Sequence, residues 1–345
     1  MSEQIINKKI SRRDFIKISA VAGSLLVSGK LLIDLIKDDF VSIKETRYLM
    51  GTIINLDLVA ESKSAGEAAV NATFAELERL VAIFSHRDPA SPLSLLNRTG
   101  YLYKPPQELT AVLAKAIEIS GMTGGAFDVS IKPLLDLYQE SQPKLPGEDA
   151  VEEALKLVDF RKLQVTNEEI SFSQVGMAVT LDGIAKGFII DASIAVLKSL
   201  GFENVYFEAG GDLMVSGQNE KGSTWKIGIQ SPRKEHPGLI ARINISNQAV
   251  ATSGDYYQYF SPDMLNHHII DPRTGISSSE LASVTILSPN AMLSDALATA
   301  VMVMGSNTGL EMLEKLADCE AFLVMKDLKT YNTSGFLENM NSSFN

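Results

Sequence analysis

The sequence predicts an α+β fold of mainly antiparallel sheets with packed helices, on two observations. The second half carries short, mostly alternating strands in a run: "NVYFEAGGDLMVSG", "WKIGIQ", "LIARINIS" and "SVTILS". Helical stretches are segregated among the strands, without the strict βαβα order that builds a parallel sheet.

From the N-terminus, "SRRDFIKISAVAGSLLVSG" sets Arg12 and Arg13 ahead of Phe15, Lys17 and a run of small and apolar residues, the layout of a twin-arginine export signal. Lys30 and Asp34 interrupt the apolar run from Ile18 to Ile36, which disfavours a spanning helix. No cysteine follows for lipidation, and no A-x-A cleavage site follows either. Residues 1–40 are therefore expected to be an export signal or an N-terminal anchor, ahead of one domain over residues 41–345. The expected location is the periplasm or the outer face of the cytoplasmic membrane.

"LIKDDFVSIKET" reads as a linker, and "YLMGTIINLDLVA" as a strand burying Ile54, Leu56 and Leu58. Ser64 and Glu67 form a capping box, after which Val70, Phe74, Leu77, Val81 and Phe84 recur at helical spacing. The prolines of "FSHRDPASPLSLLNRTG" mark a loop. A second helix is expected from Gln107 to Ser120, stopping at Gly121. Residues 139–180 read as a peripheral excursion with one short helix and two short strands. "LDGIAKGFIIDASIAVLKSLG" leads into a helix closed by Gly201. "NAMLSDALATAVMVMG" is apolar on most faces and hence a buried helix. A last helix and the strand "CEAFLVM" close the chain.

Composition limits the chemistry. A net charge of −11 over 345 residues lacks the clustered Lys and Arg that nucleic acid requires. The lone Cys319 excludes an intramolecular disulfide, a CxxC metal site and an iron–sulfur centre. Neither a P-loop nor a G-x-G-x-x-G after a strand is present.

Asp295 and Thr299 of "SDALATA" stand four residues apart and project from one helix face, offering two hard oxygens suited to magnesium. By themselves they fit an early-turn dipole partner and a back-bonded helical hydroxyl better. Lys186 of "LDGIAKG", with Asp182 before it, fits a phosphate cradle at a helix N-terminus and fits an exposed first-turn lysine equally well. "HHIIDPRTG" sets two histidines beside a strand and a tight turn, where one could serve as a general base or as structure. His86 and His236, in proline-flanked loops, are expected to have surface roles.

These segments together resemble the ApbE family of FAD:protein FMN transferases, from about Tyr48 to Met325. The ordered blocks are "MGT", the serine and asparagine of "SPLSLLN", "GGAFD", "DGIAKGFIID", "GGD", "SGDY", "HIIDPRTG" and "SDALATAVMVMG". The resemblance implies an ApbE-like fold and magnesium-dependent transfer of the FMN half of FAD onto a Thr or Ser hydroxyl of a partner, with release of AMP. It implies that Met50, Ala126, Phe127, Asp128, Asp182, Lys186 and Ile270 contact FAD. The Ala185 carbonyl, Asp295 and Thr299 would hold Mg2+, and His268 would be the base. The implied partner is a flavin-accepting electron-transfer protein at the membrane. FAD hydrolysis to FMN and AMP, or flavin binding without turnover, are the alternatives. The chain departs from the family pattern at Thr180, where an aspartate is usual, at Asp182, which replaces a small residue, and mildly at Ser130 and Tyr138.

Overall fold

A computed structural model describes residues 41–339; the expected export segment lies outside them. In chain order the strands are β1 (Val41–Leu49), β2 (Thr52–Ala60), β3 (Tyr101–Tyr103), β4 (Leu163–Val165), β5 (Glu169–Phe172), β6 (Val205–Ala209), β7 (Asp212–Ser216), β8 (Trp225–Gln230), β9 (Leu239–Ile245), β10 (Gln248–Gly254), β11 (Leu281–Ser288), β12 (Glu320–Met325) and β13 (Thr330–Asn332). The α-helices are α1 (Lys63–Phe84), α2 (Pro92–Thr99), α3 (Gln107–Met122), α4 (Lys132–Glu140), α5 (Glu148–Leu155), α6 (Ala185–Ser199), α7 (Ala291–Met304), α8 (Ser306–Leu313) and α9 (Phe336–Asn339).

Eight strands form the main sheet in the order β1-β2-β6-β7-β10-β11-β12-β13. Every pairing among the described residues is antiparallel, as the α+β reading expects. Side chains that alternate along these strands feed two cores. Ile54, Leu56, Leu58, Val205 and Phe207 pack against Phe74 and Leu77 of α1 and Ile190 of α6. Leu213, Val215, Val250 and Phe322 meet the β8–β9 hairpin through Trp225, Ile227 and Ile243. Covered on both faces, β11 is buried at all eight positions.

Four local expectations are corrected. The N-cap of α1 is Ser62, whose side chain accepts from the Ala65 N–H, so Ser64 and Glu67 form no capping box at its start. The stretch read as a linker supplies edge strand β1, whose residues alternate in exposure and pair with β2 over all nine positions. The supposed loop at 85–99 contains α2, because Ser91 accepts from the Ser94 N–H and Pro92 occupies the first turn, where a missing N–H costs nothing. Gly121 lies inside α3, which ends at Met122 ahead of the left-handed Gly124 and Gly125.

Two glycine positions shape the site. Gly210 and Gly211, both at positive φ, form the two-residue turn of the β6–β7 hairpin and deliver Asp212 directly after it. Gly187 lets α6 and α7 touch backbone to backbone: a Cβ there would lie 2.2 Å from the Ala291 carbonyl oxygen. Beside that contact, Asp191 of α6 accepts from the Ala291 and Met292 N–H groups at 2.7 and 2.9 Å, capping α7 from another helix.

Candidate functional site

The sheet's β6–β7 turn, the end of β10, the starts of α6 and α7, and segment 255–280 enclose a cavity of about 350 Å³. Ala126, Phe127, Asp128, Asp182, Lys186, His268, Ile270, Asp295 and Thr299 all line it. Met50 and Ala185 do not. Met50 sits at positive φ in the β1–β2 turn and packs against the α1-side core. Ala185 turns its methyl into the same core, so any ligand contact from it belongs to its backbone.

The pieces are held in different ways. Asp128 is buried and fully engaged, taking the Ser130 N–H and hydroxyl on one oxygen and the Phe160 N–H on the other. It thereby ties the 139–180 excursion to the cavity floor, and burial raises its pKa. Asp182, by contrast, has a 71% exposed side chain and approaches only the His86 ring, at 3.8 Å. His86 lines the cavity mouth, so its surface role is at the site. Asn97 of "SPLSLLN" clamps the approach to Asp182 by exchanging hydrogen bonds with both backbone groups of Val179.

On the inner wall the Lys186 ammonium pairs with Asp212 Oδ2 at 2.5 Å. Burial opposes its charge, but Asp212 and Asp295 outweigh that and raise its pKa. Asp212 is 2% exposed and also accepts the Thr252 N–H at 2.9 Å. Asp295 accepts the Gly187 N–H at 3.0 Å on Oδ2, and its pKa is raised by burial and then by the charge of Asp212. Thr299 Oγ1 lies 3.1 Å from the Ser253 hydroxyl. Two buried carboxylates thus act on one ammonium, which pairs with Asp212. The uncompensated negative charge beside the hard oxygens of Asp295, Thr299 and Ser253 fits a cation such as magnesium. No cluster of three His, Cys, Asp or Glu side chains occurs among the described residues, so any such cation would rely on hydroxyls, carbonyls, water or a ligand.

The adjacent histidines, expected beside a strand, lie in an irregular segment held by isolated bridges, and they differ. His267 is fully buried: Nε2 donates to the Ser278 carbonyl at 2.7 Å, and Nδ1 accepts from the Ile269 N–H. Burial pushes its pKa down to about 4, so it is a neutral structural residue. His268 donates from Nδ1 to the Gln258 carbonyl at 2.9 Å, since a carbonyl can only accept. That fixes the tautomer and leaves Nε2 unprotonated, with no partner among the described residues. Burial lowers its pKa, against the Gln258 carbonyl and Asp182. The segment is anchored by buried Asp255, which takes a bidentate pair from Arg233 at 2.7 and 2.8 Å.

Sequence reasoning assigned no role to Asp212, Thr252, Ser253 or Gln258. The block "GGD" contains Asp212, and "SGDY" begins with Ser253 and lies between Thr252 and Gln258, but their contacts are tertiary.

Residues 50–323 match the sequence profile of the ApbE family. The chain is 34% identical to the FAD:protein FMN transferase of Vibrio cholerae over 244 residues, 69% of this chain and 71% of that one. It is 29% identical to the protein of the same name from Haemophilus influenzae over 344 residues, 92% of this chain and 97% of the other. The crystal structure of the ApbE protein of Thermotoga maritima superimposes with a TM-score of 0.80 at 26% identity, covering 88% of this chain and all of that one.

Proposed function

Because the chain belongs to the ApbE family, we propose that it transfers the FMN half of FAD onto a threonine or serine hydroxyl of a partner protein and releases AMP. The observation that carries this reading is the constellation at one cavity: a histidine with a free, unprotonated Nε2, an anchored ammonium, and a buried carboxylate beside a half-buried hydroxyl.

In this reading the acceptor oxygen attacks the riboflavin-side phosphorus of FAD. The bond from that phosphorus to the bridging oxygen breaks, and AMP leaves with that oxygen. The hydroxyl proton passes to His268 Nε2. Lys186, held by Asp212, is placed to neutralise a phosphate oxygen. Asp295, Thr299 and the Ala185 carbonyl would hold magnesium, which would supply charge neutralisation on the pyrophosphate. Asp182, whose carboxylate stands in solvent, would meet the adenosine half of FAD at the cavity's exposed side.

The twin-arginine segment supports export, with a membrane-associated electron-transfer flavoprotein as acceptor. Replacing Arg12 and Arg13 by lysine should retain the protein in the cytoplasm on fractionation; unchanged export refutes the route.

The activity is tested with purified protein, FAD, magnesium and an acceptor domain bearing one candidate threonine. Covalent flavin on the acceptor with matching AMP is expected. AMP with only free FMN would assign hydrolysis instead, and bound FAD with neither product would remove both enzyme readings.

A further inference from the structure

We infer that Asp212 is a positioning residue that draws the Lys186 ammonium away from Asp295 and so keeps the Asp295 carboxylate open to a divalent cation. This rests on the cation reading above.

Lys186 and Asp295 are neighbours by construction. The Gly187 N–H, one residue along from Lys186, is hydrogen-bonded to Asp295, so the lysine's backbone stands beside that carboxylate. Both side chains line the same cavity, and each acts electrostatically on the other. A lysine is a point charge on a flexible four-carbon stem, able to swing between two acceptors within reach. Yet its ion pair is with Asp212, and Asp295 has none among the described residues.

The geometry of Asp212 explains the choice. It does not line the cavity and reaches Lys186 from behind. Its other oxygen is occupied by the Thr252 N–H, and its backbone is set by the Gly210–Gly211 turn, so the carboxylate cannot follow the ammonium forward. Without the Asp212 charge, a largely buried ammonium would be left unpaired, and Asp295 is the other buried carboxylate that acts on it. An ion pair there would compete directly with a cation for the same oxygens.

Mn2+ binding to the full chain, followed by the loss of free-ion EPR signal, tests this with four proteins: the parent, Asp212→Asn, Lys186→Gln and the double variant. Asp212→Asn should weaken Mn2+ about tenfold in the parent and less than about twofold where Lys186 is already glutamine, the non-additivity expected of a direct coupling. Equal weakening in both backgrounds would mean a simple through-space charge effect and overturn the inference, as would no weakening in the parent. Lys186→Gln alone should leave Mn2+ affinity unchanged or higher; a loss would also overturn it. Should Asp212→Asn not fold, Asp212→Ser, whose hydroxyl can still accept from Thr252, gives the same comparison. Absence of Mn2+ binding by the parent would remove the cation reading itself and this assignment with it.

Discussion

The two sides of the cavity are built on opposite principles. On and behind the inner wall, the carboxylates are withdrawn from solvent and each is tied to backbone: Asp295 to Gly187, with Asp212 behind it held by Thr252, and Asp191 held by the first turn of α7. At the mouth, Asp182 and His86 stand in solvent and approach no closer than 3.8 Å. Burying a carboxylate is costly unless it is hydrogen-bonded, so an inner wall of this kind persists only where α6, α7 and the β6–β7 turn hold it rigidly. Exposed pairs at the mouth contribute little to stability and leave room for partner and ligand to shape the contact.

The sharpest way to break that contrast is to separate the histidines. His268→Gln should lower transfer on the order of 10²-fold or more, the range for loss of a general base, with the thermal midpoint nearly unchanged. His267→Leu should instead cost about 1–3 kcal/mol of stability by orphaning the Ser278 carbonyl and the Ile269 N–H. Chemical denaturation and single-turnover rates on both variants check the split. In the parent at saturating magnesium, which would keep Asp295 ionised, transfer should rise with pH through a value below 6.5 and then level, because His268 acts when neutral and burial lowers its pKa.

Next in size, Gly187→Ala should destabilise by about 1–3 kcal/mol, because its methyl meets the Ala291 carbonyl and must push α7 away. Activity should fall with it, since α7 carries Asp295 and Thr299. A denaturation midpoint equal to the parent's would show that the helix contact is looser than drawn.

The linkage to pH separates the same groups in another way. His267 has a folded pKa near 4 against 6.5 for the free side chain. The unfolded chain therefore binds more protons between these values, and this contribution is complete above pH 6.5 and lost as pH falls towards 4. Asp191 acts the other way. Its folded pKa of about 6 lies above the ordinary 3.8, so its contribution weakens as pH rises from 3.8 to 6. Replacing His267 by leucine should flatten the acid side of the stability curve, and replacing Asp191 by asparagine should steepen it; stability measured from pH 4 to 7 reads both.

Much of this contrast could be read from the residues. Alternation marked β2, β6 and β8, and helical spacing marked α1 and α3, because burial of one face imposes those periods, while α7 was marked by being apolar on most faces. The spacing of Asp295 and Thr299 needs only helix geometry. Other features depend on partners distant in sequence. The same Ser and Pro that suggested a loop at 85–99 are the cap and first turn of α2. Strand β1 looked like a linker because an edge strand buries little. His267 and His268 are indistinguishable by spacing, and only the carbonyl each reaches separates them. Asp212 became meaningful when the Gly210–Gly211 turn placed it behind Lys186.

The contrast between inner wall and mouth is tested most directly by single-turnover transfer from FAD with Asp295→Asn and Asp182→Asn side by side. The account predicts a loss on the order of 10²-fold or more for Asp295→Asn, with the fold intact because a buried charge is relieved, and a loss below about tenfold for Asp182→Asn. Equal losses in the two variants, or near-parent transfer by Asp295→Asn, would contradict it.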